Sequence, residues 1–307
     1  MESVLLIVHQ IIIMFALMIL GFILKKRGFI QEPSAHDLTN ILLYIVMPTV
    51  LLSAYCEPFS QEKAFQLFLC FIISIAIHLF FIFLARIIYP KDGIRQNALI
   101  LPNSGYMGIP LVTSVFGNEA VFYLSAFMAV NNLVQWTYGS YTLDKNTKLS
   151  LKKFIASPII IALCGGILLF LMNIQLPDVI ISLMDQISNL NTPLAMILLG
   201  AFLSNISFQQ VRKNIKAIFQ PIIFRLFLFP LCILLIINFF PYINNQIKMI
   251  HLILSASPTA ISVALFAARY KKNLYATEII CISTLLCIIT IPLFVYLQTL
   301  INYYFAH

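Results

Sequence analysis

Pro102-Asn103-Ser104-Gly105-Tyr106-Met107-Gly108-Ile109-Pro110 sets an amide and a hydroxyl among two prolines and two glycines, inside a segment otherwise apolar enough to cross a bilayer. A second interruption, Ser255-Ala256-Ser257-Pro258-Thr259, lies in the other half of the chain. Neither holds a carboxylate, imidazole or thiol, so their chemistry is hydrogen bonding rather than acid–base or nucleophilic work. An unsatisfied backbone group in hydrocarbon costs several kcal/mol, so non-helical backbone at that depth is expected only where it is buried in protein or lines a wet cavity. Ser257 followed by Pro258 reads as an N-cap and first helical position, which predicts a half-helix restarting at Pro258. Asn103 or Ser104 can cap a matching half-helix, with Pro110 as the alternative restart. Half-helix N-termini carry partial positive charge and free N–H donors. Two of them converging near the midplane favour an anionic group such as a carboxylate.

The elements that position these residues are membrane helices. Of the 307 residues 61% are hydrophobic and only 10% charged, against about a quarter charged in soluble domains. A crossing takes roughly 20 apolar residues. Ten such stretches are expected, at 4–24, 38–55, 64–89, 97–116, 120–143, 154–173, 179–205, 216–240, 247–268 and 275–303. The first is read as a retained helix rather than a signal peptide, because Lys25, Lys26 and Arg27 follow it and no small-residue cleavage pattern is present. The net charge of +8 is spread in small groups between spans, which argues against a nucleic-acid partner and for a topology signal. With alternate loops assigned to the cytoplasm, sixteen Lys and Arg fall inside and only Lys63 and Lys248 outside. That asymmetry predicts both termini outside, in a multi-pass protein of the bacterial inner membrane. The six cysteines form no CxxC or Cys/His pattern, so neither a metal site nor a disulfide framework is expected, and no cofactor motif appears.

Five spans per half make the second half enter the membrane in the opposite sense, and the sequence repeats its punctuation. Pro48 in the second span is echoed 145 residues on by Pro193 in the seventh; Pro102 is echoed 156 residues on by Pro258. The expected organisation is therefore all-α: a first five-helix repeat at 1–143, a short cytoplasmic linker at 144–153, and an inverted second repeat at 154–307. The fourth (97–116) and ninth (247–268) helices are broken and cross each other.

Other polar residues lie within the apolar spans. Arg225 falls near the middle of the eighth, where a charge is costly unless it faces the protein interior or a wet cavity, and is a candidate anion ligand or gate residue. Asn131, Asn132 and Gln135 sit with Trp136 in the fifth span, as substrate-cavity candidates or as interhelical hydrogen-bonding glue. His78 and His9 can titrate near neutral pH, although a lone intramembrane histidine ordinarily bonds a neighbouring helix. Asp37, Glu119, Asp185 and Glu278 lie near span ends or in their outer thirds, and no pair of carboxylates marks a central ion site.

Leu101-Pro102-Asn103-Ser104-Gly105-Tyr106-Met107-Gly108-Ile109-Pro110-Leu111, followed by Val115-Phe116-Gly117, resembles the fourth-helix motif of the auxin efflux carrier family. Ser257-Pro258-Thr259-Ala260, Ala267-Ala268-Arg269-Tyr270, Ser283-Thr284 and Ile291-Pro292-Leu293 resemble its last two helices. That family includes plant PIN-type auxin exporters and bacterial carriers described as malate or malonate permeases. The resemblance implies ten helices in two inverted repeats, with the broken helices crossing at the membrane centre. The large central loop of the long plant members is absent here, which places the chain nearer the compact bacterial type. By resemblance, Asn103 matches the asparagine that contacts the substrate carboxylate, Pro110 and Pro258 match the crossover, and a homodimer is implied.

The expected activity is secondary transport of a small organic anion by alternating access. Asn103, Ser104, Ser257, Thr259, Asn131, Asn132 and Gln135 are the candidate ligands, and Pro102, Gly105, Gly108, Pro110 and Pro258 the crossover. Coupling is open between proton symport and uncoupled, potential-driven movement. A sodium-coupled organic-anion symporter of the bile-acid type is the alternative, since it too has broken fourth and ninth helices; a channel or a receptor is the non-carrier alternative. An enzyme is disfavoured, because no nucleophile with its base, metal cluster or phosphate cradle is present.

Overall fold

The computed structural model describes residues 2–143, 154–206, 211–212, 214–268 and 273–305, and among these the regular structure is helical, with no strand. The expected linker at 144–153 lies outside the described residues. In chain order the helices are α1 (Glu2–Lys26), α2 (Glu32–Ser53), α3 (Gln61–Ile88), α4 (Gly93–Ile100), α5 (Ile109–Phe116), α6 (Ala120–Val134), α7 (Pro158–Leu171), α8 (Asp178–Leu203), α9 (Ile215–Asn238), α10 (Asn245–Ala256), α11 (Ser262–Ala268) and α12 (Asn273–Phe305). Six of them, α1, α2, α3, α8, α9 and the Tyr275–Tyr304 part of α12, are long and apolar enough to cross a membrane.

The remaining expected crossings are ordered as shorter pieces. The stretch 97–116 is divided between α4 and α5, and 247–268 between α10 and α11. α6 passes through a π-helical turn, Gln135–Gly139, into Ser140–Leu143, and α7 has 14 residues. Three π turns stand just upstream of a proline: Leu42–Val46 before Pro48, Ser104–Gly108 before Pro110, and Phe224–Leu228 before Pro230. Proline lacks an N–H and its ring crowds the carbonyl four residues back, here those of Tyr44, Tyr106 and Leu226. A wider turn lets that carbonyl move aside without ending the helix.

α3 shows how the chain divides lipid from protein. Phe65, Phe68, Ile72, Leu79, Phe83 and Ile87 form an exposed apolar stripe, whereas the inward face buries Ser74 and His78. Polar groups are thus kept for the interior, as bilayer solvation demands.

Two packing groups result. In one, α1 runs along α8, and α2 packs on α7 and α8. The α1–α8 approach depends on two glycines: a Cβ at Gly21 would fall 2.0 Å from the Ile197 carbonyl oxygen, and one at Gly200 would fall 1.9 Å from that of Met18. Small residues of this kind let membrane helices meet backbone to backbone. In the other group, α3 lies along α6, α9 against α10, and both α10 and α11 against α12. The groups meet where α1 touches α5 and α12, and where α8 touches the Ser104–Gly108 turn.

Candidate functional site

The two interruptions are brought into direct contact. Pro102 and Thr259 form an isolated antiparallel bridge, in which Asn103 N–H donates to the Pro258 carbonyl (2.8 Å) and Ala260 N–H to the Leu101 carbonyl (2.9 Å). Each break therefore satisfies the backbone groups that the other frees, which is why neither needs water to exist at this depth. The Thr259 hydroxyl donates to the Ala98 carbonyl (2.9 Å) at the end of α4, and the Ser283 hydroxyl accepts from Thr259 N–H (3.3 Å).

Helix restart on the C-terminal side differs from expectation. Ser257 is extended (φ −62°, ψ 146°) and ends α10 as its C-cap, and α11 begins only at Ser262. The serine hydroxyl turns back to the Ile253 carbonyl (3.0 Å) instead of capping a following helix. Pro258 does not open a helix because the next residue, Thr259, is held in the extended bridge to Pro102, with the Pro258 carbonyl accepting from Asn103.

Arg225, fully buried in the π turn of α9, is directed at backbone carbonyls. Nε donates to Ser257 O (3.0 Å), Nη1 to Leu99 O (2.8 Å) and Nη2 to Ser255 O (2.9 Å), and the guanidinium lies 5.4 Å from the Phe81 ring centroid. These carbonyls belong to the ends of α4 and α10, where each half-helix dipole is negative. Among the described residues no carboxylate pairs with it. One guanidinium thus bridges two converging C-termini, and Arg225 is not among the residues that line the cavity.

The cavity beside the crossover has a volume of about 430 Å³ and opens in the seam between the two packing groups. One wall is α2 (Leu43, Tyr44, Met47) with the start of α7; the other is the first break with the α6 surface. Asn103, Ser104, Asn131, Asn132 and Gln135 line it together, with Pro102 and Gly105, whereas Ser257, Thr259, Pro258, Gly108 and Pro110 do not. Ser262 replaces the expected serine and threonine on that side. The Asn103 side-chain nitrogen is buried and has no partner among the described residues, as does the side-chain oxygen of Asn132. Asn103 also precedes the turn Ser104–Gly108 that runs into α5. Ser104 N–H is taken by the Pro102 carbonyl (2.8 Å), which leaves the N–H groups of Gly105 and Tyr106 as the donors this helix start has to spare. Among the described residues no Lys or Arg lines the cavity; its polar groups include the amides, the hydroxyls of Ser104, Ser157 and Ser262, and backbone.

Behind this wall runs a buried polar chain that sequence reading missed in part. The Asn131 side-chain nitrogen donates to the Pro102 carbonyl (3.3 Å) and the Ser104 hydroxyl (3.4 Å), and its oxygen faces His78 Nε2 at 3.3 Å. His78 Nδ1 donates to the Ser74 carbonyl (2.8 Å), and the Ser74 hydroxyl lies 3.2 Å from His251 Nε2. His251 and Ser74 carried a faint signal, a polar residue one turn from another on an otherwise apolar helix, namely Ser255 and His78. His9 instead lies on the exposed face of α1.

A second cavity of about 410 Å³ lies farther along the same seam, past Val50 and Ile109. Glu57, Glu119 and Asp185 line it, with Asn191, which is 2% exposed and has neither amide atom partnered among the described residues. Glu57 is paired with Lys63 (2.9 Å), and the described acids, histidines and cysteines form no group able to hold a metal ion.

The chain is 25% identical over 214 residues to an uncharacterized transporter of Methanocaldococcus jannaschii, an alignment covering 63% of this chain and 68% of the relative. A family model described as membrane transport protein matches residues 6–149 and 144–295. Two interrupted apolar helices bridged at their breaks beside an amide-lined cavity, together with a family match spanning nearly the whole chain, make this a multi-pass member of the membrane transport protein family, the auxin efflux carriers.

Proposed function

We propose that the protein is a secondary carrier that moves a small organic anion, a carboxylate, by alternating access at the crossover cavity. The observation that carries this reading is the Asn103 side-chain nitrogen, buried beside a helix start and without a partner among the described residues, none of which brings a cationic side chain to the cavity. A buried donor without an acceptor loses about 1–3 kcal/mol, which a carboxylate oxygen restores. The helix start adds further N–H donors and a favourable dipole end. Asn132, Gln135 and Ser104 supply the polar contacts that would orient the remainder of the solute, while Leu43, Tyr44, Met47 and Met128 give it an apolar wall.

In this reading the ten apolar stretches cross the membrane as two inverted units with both termini outside. The cavity then opens toward the cytoplasm, since the cytoplasmic ends of α6 and α7 flank it, and the second cavity faces outward. Movement of one packing group along the other would carry the solute between the two. The crossover stays intact because its bridge and the Arg225 clamp lie within one group.

Reconstitution in liposomes with mono- and dicarboxylates and indole acids, under imposed pH, sodium and voltage gradients, tests the proposal. Movement of at least one such anion, weakened by Asn103→Ala, is expected. If none moves, the carrier reading fails; strict sodium dependence would instead favour the sodium-symporter class.

A further inference from the structure

His78 occupies a position in which hydrogen-bond direction records its charge. Its Nδ1 faces the Ser74 carbonyl, an obligate acceptor, so this nitrogen carries a proton in either charge state. The state is decided at Nε2, whose partner is the Asn131 amide. With the amide oxygen toward Nε2 and the amide nitrogen donating to Pro102 O and Ser104 Oγ, Nε2 is satisfied only when it carries a proton, so this orientation of the amide belongs to the imidazolium. A neutral imidazole needs a donor there. The amide must then turn over, bringing its oxygen against the Pro102 carbonyl, where two acceptors repel.

Proton occupancy at His78 is thereby tied to one hydrogen bond on the crossover carbonyl and one on the hydroxyl beside Asn103. We infer that His78 is the coupling-proton site of the carrier, with Asn131 transmitting its protonation to the crossover and the cavity floor. This rests on the carrier reading above and adds the co-transported ion. His78 is buried and lines neither cavity, so the proton reaches and leaves Nε2 through water admitted past Asn131, and no other bond is made or broken.

Among the described residues, the charged and titratable groups facing His78 are Arg225 of α9 and His251 of α10. From α6 it meets Phe127 and Asn131, and on its own helix Ser74 and Phe81. Arg225 repels an imidazolium whereas a carboxylate at Asn103 attracts one. Proton and anion consequently load together, and one proton per anion makes accumulation change about tenfold per pH unit of gradient.

A solute-free measurement separates this inference from the carrier reading. Trp136 is the only tryptophan in the sequence and lines the cavity on the same helix as Asn131. Its emission in purified protein should show a pH-dependent transition, and the transition should disappear in His78→Gln, whose amide can meet Asn131 in one fixed state. His78→Asn serves as a second neutral variant, and each variant is first checked for monodisperse elution. Loss of the transition in either folded variant supports the assignment. No transition in the unsubstituted protein, or the same transition in both variants, overturns it. In liposomes with a transported anion, His78→Gln should lose pH-gradient-driven accumulation yet keep solute exchange at equal pH; full gradient-driven accumulation by the variant would also overturn it.

Discussion

Replacing Arg225 with methionine keeps the length and apolar stem of the side chain but removes three donors from Leu99, Ser255 and Ser257 carbonyls at 2.8–3.0 Å. A hydrogen bond involving a charged group contributes about 1.5–3 kcal/mol, and each buried carbonyl left unpaired costs about 1–3 kcal/mol. These terms are not additive, because the ends of α4 and α10 can relax apart once the clamp is gone. A net loss of about 3–5 kcal/mol is the expectation, similar to that for removing one partner of a buried charge pair. At roughly 2 °C per kcal/mol for a chain of this size, the detergent-solubilised protein should melt about 6–10 °C lower. Arg225→Lys should fall between, since an ammonium offers donors from one point and cannot span both helix ends as a planar fork does. The assay is intrinsic fluorescence of Trp136 during heating, with solute uptake measured in parallel. A melting temperature within about 2 °C of the unsubstituted protein, accompanied by weakened solute affinity, would refute the clamp and return Arg225 to the role of anion ligand.

Asn103→Ala should weaken solute affinity about 10- to 150-fold, the equivalent of one lost hydrogen bond to a charged acceptor, with little change in melting temperature. Asn103→Asp should weaken it further, by placing like charge against the anion; equilibrium binding or KM for uptake reads both, and unchanged affinity in the alanine variant sinks the site. Gly200→Ala puts a methyl 1.9 Å from the Met18 carbonyl oxygen and should destabilise by about 1–3 kcal/mol as α1 and α8 separate, which a melting curve detects. Thr259→Val keeps the shape but leaves the Ala98 carbonyl without its hydroxyl donor, an expected loss of about 1–2 kcal/mol in the same assay; no loss would mean that another donor reaches that carbonyl.

Features that depend on local chemistry could be read directly from the residues. Bilayer thickness and the ban on unpaired backbone in hydrocarbon make apolar runs into helices, and proline with adjacent polar residues marks where they break, so the segments around Pro102 and Pro258 were legible in advance. The family likeness was legible for the same reason, since its motif is the break itself. The Ser257-Pro258 pair shows the limit of local reasoning. Its N-cap pattern was sound as a propensity, yet Thr259 is held extended in the bridge to Pro102, and the helix restarts at Ser262 instead.

Which way each buried donor points depends on packing between distant segments. Arg225 was visible as a charge at depth, but only the approach of two helix C-termini shows that its fork is occupied by carbonyls. Asn131, Asn132 and Gln135 were visible as excess amides, but only packing turns Asn131 toward His78 on one side and the crossover on the other. It likewise gathers Asn103 and Ser104 into one cavity while turning Ser257 and Thr259 away. A polar group in a membrane interior must find a partner, and that partner lies anywhere from 27 to 126 residues away in these cases. Sequence announces the need for a partner, and the fold chooses it.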